Sequence, residues 1–409
     1  MTGSTTCTFN KPTRVIGLIG TLLLVLIPSG TVVAQARYRV TDIAPVNDLN
    51  DEAPGATCIN NAGMVVGQAL LPAGPDRPFL WIKGNIFDLG TFGGPNGGAR
   101  SINARGDIVG KADTAAGPPK QEHAFFWSEG VMHDLGTFGG YSSTANSINN
   151  RGWTVGAADT TIPDPTGTIG PTENHAFLRT VDGTLQDLGT LGGPNSHAIS
   201  INDNGVIVGW SQVDFNIGAF GMPDLHPAMW VNGVLTRLPD LGGSVSLAIH
   251  VNNNGTVVGQ SFVADDSAFF AVMWKNGVLT NLGALGNDVA SSAGSINNRG
   301  QVAGMSFDAN FSPRAFLWDS GVMYDLNTLI PANSGWFLMS ASINDTGQIV
   351  GTGLLNGNLH AFLLTPSAGG GRTGSPTASP TPFEPSDTMR RSLIWGKSGL
   401  VKHGFPWIR

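Results

Sequence analysis

The chain has 409 residues and a formal net charge of −7, and its charged residues make up 12% against about 25% in a typical domain. Glycine is 57 of the 409 residues and cysteine only 2. This composition suits short, uncharged strands joined by tight turns. It excludes a disulfide framework and a long helical coil, and the acidic balance argues against a nucleic-acid partner, which needs a basic stripe.

Residues 1–36 read as a secretory signal. Lys11 and Arg14 form a basic flank, residues 15–27 an apolar run, and Ala34-Gln35-Ala36 a small-x-small site, so cleavage is predicted before Arg37. The apolar run is short for a bilayer span of about 20 residues, so no stable membrane span is expected after cleavage. Cys7 leaves with the signal. Cys58 then stands alone and reads as a small buried residue. The leader carries +2 and the residues after Gly371 carry +4, which leaves −13 on residues 37–371.

Residues 38–43 alternate and are β-branched, as a strand requires. A motif, Ser-Ile-Asn-x-x-Gly-x-x-Val-Gly, then recurs seven times with small variations. Its asparagines are Asn60, Asn103, Asn149, Asn202, Asn252, Asn297 and Asn344, at spacings of 43, 46, 53, 50, 45 and 47 residues. Each repeat has four strand-like pieces. Ala-x-Ser-Ile-Asn is followed by an Asn/Gly turn and a Val/Ile piece ending in Gly. A variable connection leads to His-Ala-Phe-Leu-Trp, as at residues 123–127. A glycine-containing turn leads to Asp-Leu-Gly-Thr, as at residues 134–137, and a Gly-Gly loop such as Gly93-Gly94 starts the next repeat.

Four antiparallel strands at this period predict an all-β fold, a seven-bladed β-propeller of four-stranded blades. The seventh repeat lacks its fourth piece. Residues 38–43 contain Asp42-Ile43, which match Asp-Leu, so this N-terminal strand is expected to complete the last blade and close the ring. The propeller is assigned to residues 37–366. A Gly/Ser/Thr/Pro-rich linker follows at residues 367–386. The basic tail, residues 387–409, fits a disordered end, with a docking peptide as the alternative.

The three motifs in fixed order resemble those of the bacterial HAF-repeat family, named for His-Ala-Phe. The resemblance covers residues 38–365. It implies an extracellular or envelope repeat protein and brings no catalytic residues with it.

Histidines recur at the start of the third piece, as His123, His175, His226 and His360. Each belongs to a different blade, so they cannot share one metal shell, and no metal or cofactor is expected. With a turn at Glu129-Gly130, Phe125 faces Asp134 and His123 becomes its diagonal neighbour. A repeated contact is therefore expected for His123 with Asp134, His175 with Asp187 and His360 with Asp42. His226 has Arg237 at the partner position, which breaks the pairing.

The residues that break the repeat are the better candidates for binding. His250 replaces an inner-strand serine. The second-to-third strand loops, expected on one face of the disc, are longest in blades three and four. They carry Asp159, Asp164, Asp214, Phe215, Phe220 and Asp224. The function expected is a secreted or periplasmic, monomeric recognition or scaffold module that binds a protein or glycan through that face. Two alternatives stay open: an extracellular lyase or hydrolase acting on polysaccharide at an axial site, and a purely structural envelope component. No catalytic motif recommends the enzyme.

Overall fold

The chain is described by a computed structural model at residues 37–46, 55–70, 76–115, 121–217, 221 and 223–367. The signal, the linker beyond Ser367 and the tail lie outside these residues. Seven antiparallel sheets follow one another round a ring, each beginning at its inner strand. Blade two shows the pattern: Gly93–Ile102, Ile108–Thr114, Glu122–Ser128 and Val131–Asp134, pairing in that order. Among the described residues the only helical piece is the 3-10 turn Leu326–Thr328. No helix of the described residues is long and apolar enough to cross a membrane.

The predicted closure is present. The strand Tyr38–Pro45 pairs antiparallel with Asn358–Pro366, with Asp42 opposite Phe362. The first and last blades therefore share no open edge. Two details differ from the sequence reading. In blades two, three and five the Gly-Gly pairs open the inner strand instead of forming separate loops, so it runs ten residues, as in Gly139–Ile148. In blade seven the inner strand is broken into Trp336–Leu338 and Ser342–Ile343.

A bulge explains the invariant pattern. In blades one to six the inner strand shifts register between its Ala and the residue two further on, as at Ala145/Ser147. The bulge brings the inner backbone close to the second strand. A Cβ placed on Gly156 would strike the Thr144 carbonyl oxygen, and one on Gly209 would strike that of His197. Glycine ends the second piece for that reason. The Phe of the third piece fills the space thus left, since Phe177 pairs with Gly156 and Phe362 with Gly351. Both rings are fully buried. Blades four and five carry Ala228 and Val272 instead, and there Trp230 and Trp274 sink into the core. Each then needs a partner for its N–H, found at Leu188 O (3.0 Å) and Pro239 O (2.6 Å).

The motif asparagine links the blades. Asn149 Oδ1 accepts from the N–H of Arg151 and of Trp153, which shapes the tight turn. Its Nδ2 donates to Asn202 O in the next blade at 3.0 Å. The same bond joins Asn60 to Asn103, Asn103 to Asn149, Asn202 to Asn252, Asn252 to Asn297 and Asn297 to Asn344. Asn344 Nδ2 donates to Asn60 O at 2.9 Å, so the belt is a closed circuit. A second belt runs through the following residue, from the Asn150 N–H to Asp203 Oδ1 and on through Asn253, Asn298, Asp345 and Asn61. It breaks where Ala104 offers no side-chain acceptor.

Candidate functional site

Strand direction sorts the disc into two ends. The Asn/Gly turns and the third-to-fourth strand turns lie at one. The second-to-third strand connections and the entries to the next blade lie at the other, called here the loop end. All the loop candidates therefore share one end, except Phe220, which lies outside the described residues.

The histidine positions carry the expected contact. His123 Nδ1 lies 2.8 Å from Asp134 Oδ2, His175 Nδ1 2.7 Å from Asp187 Oδ2, and His360 Nδ1 2.9 Å from Asp42 Oδ1. Arginine plays the same part in Arg77 with Asp88 and Arg314 with Asp325. The break expected in blade four is mended in space. His226 Nδ1 lies 3.3 Å from Asp240 Oδ2, and Arg237 holds the same oxygen at 2.9 Å. Despite desolvation, these two partners hold the Asp240 carboxyl down at about 2. The hydrogen bond that His175 donates to Asp187 raises the pKa of the imidazole. These contacts are spread round the ring, one in each blade but the fifth, and among the described residues no cluster could hold a metal ion.

His250 takes over a serine's task. Ser295 Oγ accepts the Ile343 N–H of the next blade at 2.9 Å, and Ser101, Ser147 and Ser200 make longer versions of this bond. His250 Nδ1 stands in the same place, 3.5 Å from the Ile296 N. Burial holds its pKa down at about 4, opposed only in part by Asp345, so the ring is neutral and its Nδ1 can accept. Cys58 sits at the equivalent position and receives the Ile102 N–H, while burial raises its thiol pKa.

The blade-three loop is pinned. Asp159 accepts from the Ser142 N–H and from Asn174 Nδ2, and burial pushes its pKa up. Asp164 Oδ1 accepts from the N–H and hydroxyl of Thr166, and its Oδ2 accepts from Asn195 Nδ2 at 2.9 Å. Farther along, Ile169 packs on an apolar cluster that includes Trp210, Leu225, Leu247 and Phe262. Hence Asp159 and Asp164 hold the loop in place.

The blade-four loop is the more open. A bridge between Ile217 and Pro223 folds it back on itself, which brings the two arms bearing Asp214 and Asp224 together. Phe215 is 54% exposed. Asp224 has its pKa raised, first by burial and then by Asp214 and Asp266, with His226 and Arg237 opposing. Asp266, from the blade-five loop, joins this group and was not singled out from the sequence. Its signal was available in the Asp265-Asp266 pair at a connection.

A groove of about 550 Å³ lies at the opposite end, between blades one and two, lined by Met64, Leu80, Asp107, Trp127 and Glu129 among others. Its buried carboxylate, Asp107, already accepts from Ser128, Asn103 and Arg105.

No family model matches the chain, and no curated protein matches it. Solved structures do. TolB from Acinetobacter baumannii is 12% identical, with a TM-score of 0.42, over 75% of this chain and 64% of that one. A gluconolactonase from Xanthomonas campestris is 11% identical, with a TM-score of 0.37, over 80% and 100%. An ulvan lyase is 11% identical, with a TM-score of 0.33, over 64% and 80%. At this level the likenesses carry no argument about activity. The architecture itself stands on the sheets described above: the chain is a seven-bladed β-propeller.

Proposed function

We propose that the protein is an exported recognition or scaffold module that binds an envelope or extracellular protein or glycan at its loop end. One observation carries this reading. The tight-turn end repeats the same bonds blade after blade, whereas at the loop end only the His/Arg–Asp contact recurs and the connections vary, exposing carboxylates and apolar side chains, Phe215 among them. Variable loops on a rigid frame are where recognition usually resides. Export rests on residues 1–36, and N-terminal sequencing of secreted protein should begin at Arg37. The three recurring motifs support placing the chain with the HAF-repeat proteins.

Replacing whole loops would be a poor test, because Asp164 and Ile169 brace the frame. Positions off these braces serve better: Ile162 and Phe215, both more than half exposed, and the partly buried Asp214. Purified protein is screened against glycans and envelope extracts beside the variant Ile162→Ser/Asp214→Asn/Phe215→Ser. Binding lost at an unchanged melting temperature supports the loop end as the binding surface. Binding retained by the folded variant removes it.

A further inference from the structure

Charge is sorted between the two ends. Of the described carboxylates, only Asp107, Glu129, Asp182, Asp203, Asp319 and Asp345 lie at the tight-turn end. The others sit where second strands end, third strands begin or fourth strands end. Cations gather oppositely: Lys83, Arg105, Arg151, Arg179, Lys275 and Arg299 are at the tight-turn end. The loop-end cations Arg77, Lys111, Arg237 and Arg314 are each already held by a carboxylate. The loop end therefore keeps nearly all of the body's negative surplus.

Two carboxylate oxygens at this end lack a partner among the described residues. Asp288 has a side chain only 4% exposed, and its Oδ2 has no hydrogen-bond partner among the described residues. Asp224 Oδ1 is likewise buried without one. Buried oxygens of this kind are normally satisfied by protein or water, and a cationic side chain is a further donor suited to them. Beside Asp224 stand Asp214 and the exposed Phe215 and Ile217.

We propose that this acidic, apolar-edged surface docks a Lys/Arg-rich segment, and that its resident occupant is the chain's own residues 387–409. That stretch carries Arg390, Arg391, Lys397, Lys402 and Arg409, with Trp395, Phe405 and Trp407 interleaved. Cations match the carboxylates, and the aromatic rings match Phe215 and Ile217. The described chain leaves blade seven at the tight-turn end, where Pro366 lies opposite Tyr38. Residues 367–386 form the tether. Fully extended they reach about 70 Å, enough to pass round the rim. Such a tether supplies the tail at about millimolar effective concentration. This inference rests on the loop end being the recognition surface, and it makes the tail a competitor of the external partner.

The test uses a synthetic peptide of residues 387–409, titrated into a chain ending at Ser367, whose ring closes within the described residues, and into the full chain. The shortened chain should bind the peptide, about tenfold more weakly when salt rises from about 50 to 200 mM. Asp214→Asn/Asp224→Asn/Asp266→Asn should weaken it by about a further tenfold. The full chain, its site already occupied, should bind it far less. Should the triple variant fail to fold, a peptide with Arg390, Arg391 and Lys397 changed to Gln tests the same pairing on the unaltered chain, and it should bind about tenfold more weakly. No binding at low salt, equal binding to the full chain, or indifference to these charges overturns the proposal. If the loop end still captures its external partner in that case, the proposed function stands and only the tail is dismissed.

Discussion

The two ends of the disc are made by the same seven repeats and differ in what the repeats are allowed to vary. At the tight-turn end, one asparagine per blade shapes its own turn and bonds the next blade, and the circuit closes from Asn344 to Asn60. Substituting that asparagine breaks bonds in two blades at once. At the loop end, a carboxylate usually serves its own blade, as Asp134 serves His123 and Asp187 serves His175. Change is cheap there because its effects stay local. Recognition would accordingly be expected to evolve at the loop end and to leave the frame alone.

That contrast can be broken most severely at the closing strand. Removing residues 37–46 strips the seventh blade of its outer strand and of the His360–Asp42 contact, and it exposes the edge of Asn358–Pro366. The loss should approach the whole folding stability, about 5 kcal/mol or more, and the protein should associate through the bared edge. Chemical unfolding and light scattering check both. A smaller loss is expected from Asn149→Ala, which orphans two N–H groups and a buried carbonyl. About 3 kcal/mol is expected, read as a lowered melting temperature with loop-end binding unchanged. Phe215→Ser, at the other end, should leave the melting temperature alone.

Titration gives smaller effects. The folded pKa of His250 lies near 4, below its ordinary 6.5. Its contribution is therefore complete above pH 6.5 and is lost as the pH falls from 6.5 toward 4, where only the unfolded chain takes the proton. His250→Ser should keep the bond to the Ile296 N–H and abolish this acid sensitivity. A mutant with the same acid limb of stability would contradict the assignment of His250 to the frame. His175 shifts the other way. Its raised pKa gives stability that is present below 6.5 and lost as the pH climbs through the folded value, while the lowered pKa of Asp187 gives stability present above 3.8 and lost as the pH falls. The pair thus helps most between these limits. With Asp187 half-exposed, His175→Gln should cost only about 0.5 kcal/mol near pH 5, by calorimetry.

Much of the frame could be read in the sequence because it is repeated. Blade number followed from the asparagine spacing, ring closure from Asp42-Ile43, and the His123–Asp134 contact from the register that Glu129-Gly130 imposes. What the belts do was hidden, because the spacing of Asn149 and Asn202 does not say that one side chain bonds the next blade's carbonyl. His226 eluded the register argument because its partner, Asp240, lies three residues beyond the end of its strand. His250 stood out as an exception, yet it and Cys58 each accept the same N–H that serine accepts in its neighbours. Departure from a repeat in residue type was not departure in role. The sorting of charge became visible only once each strand had a direction.

The division between frame and recognition surface is tested most directly by hydrogen exchange on the protein with and without a bound envelope partner. Protection on binding should appear in the loop-end segments, residues 160–171 and 212–217, and at Asp265 and Asp266. It should leave the turns that follow Asn60, Asn149, Asn252 and Asn344 unchanged. Protection centred on those asparagine turns, with the loop-end segments unaffected, would contradict it.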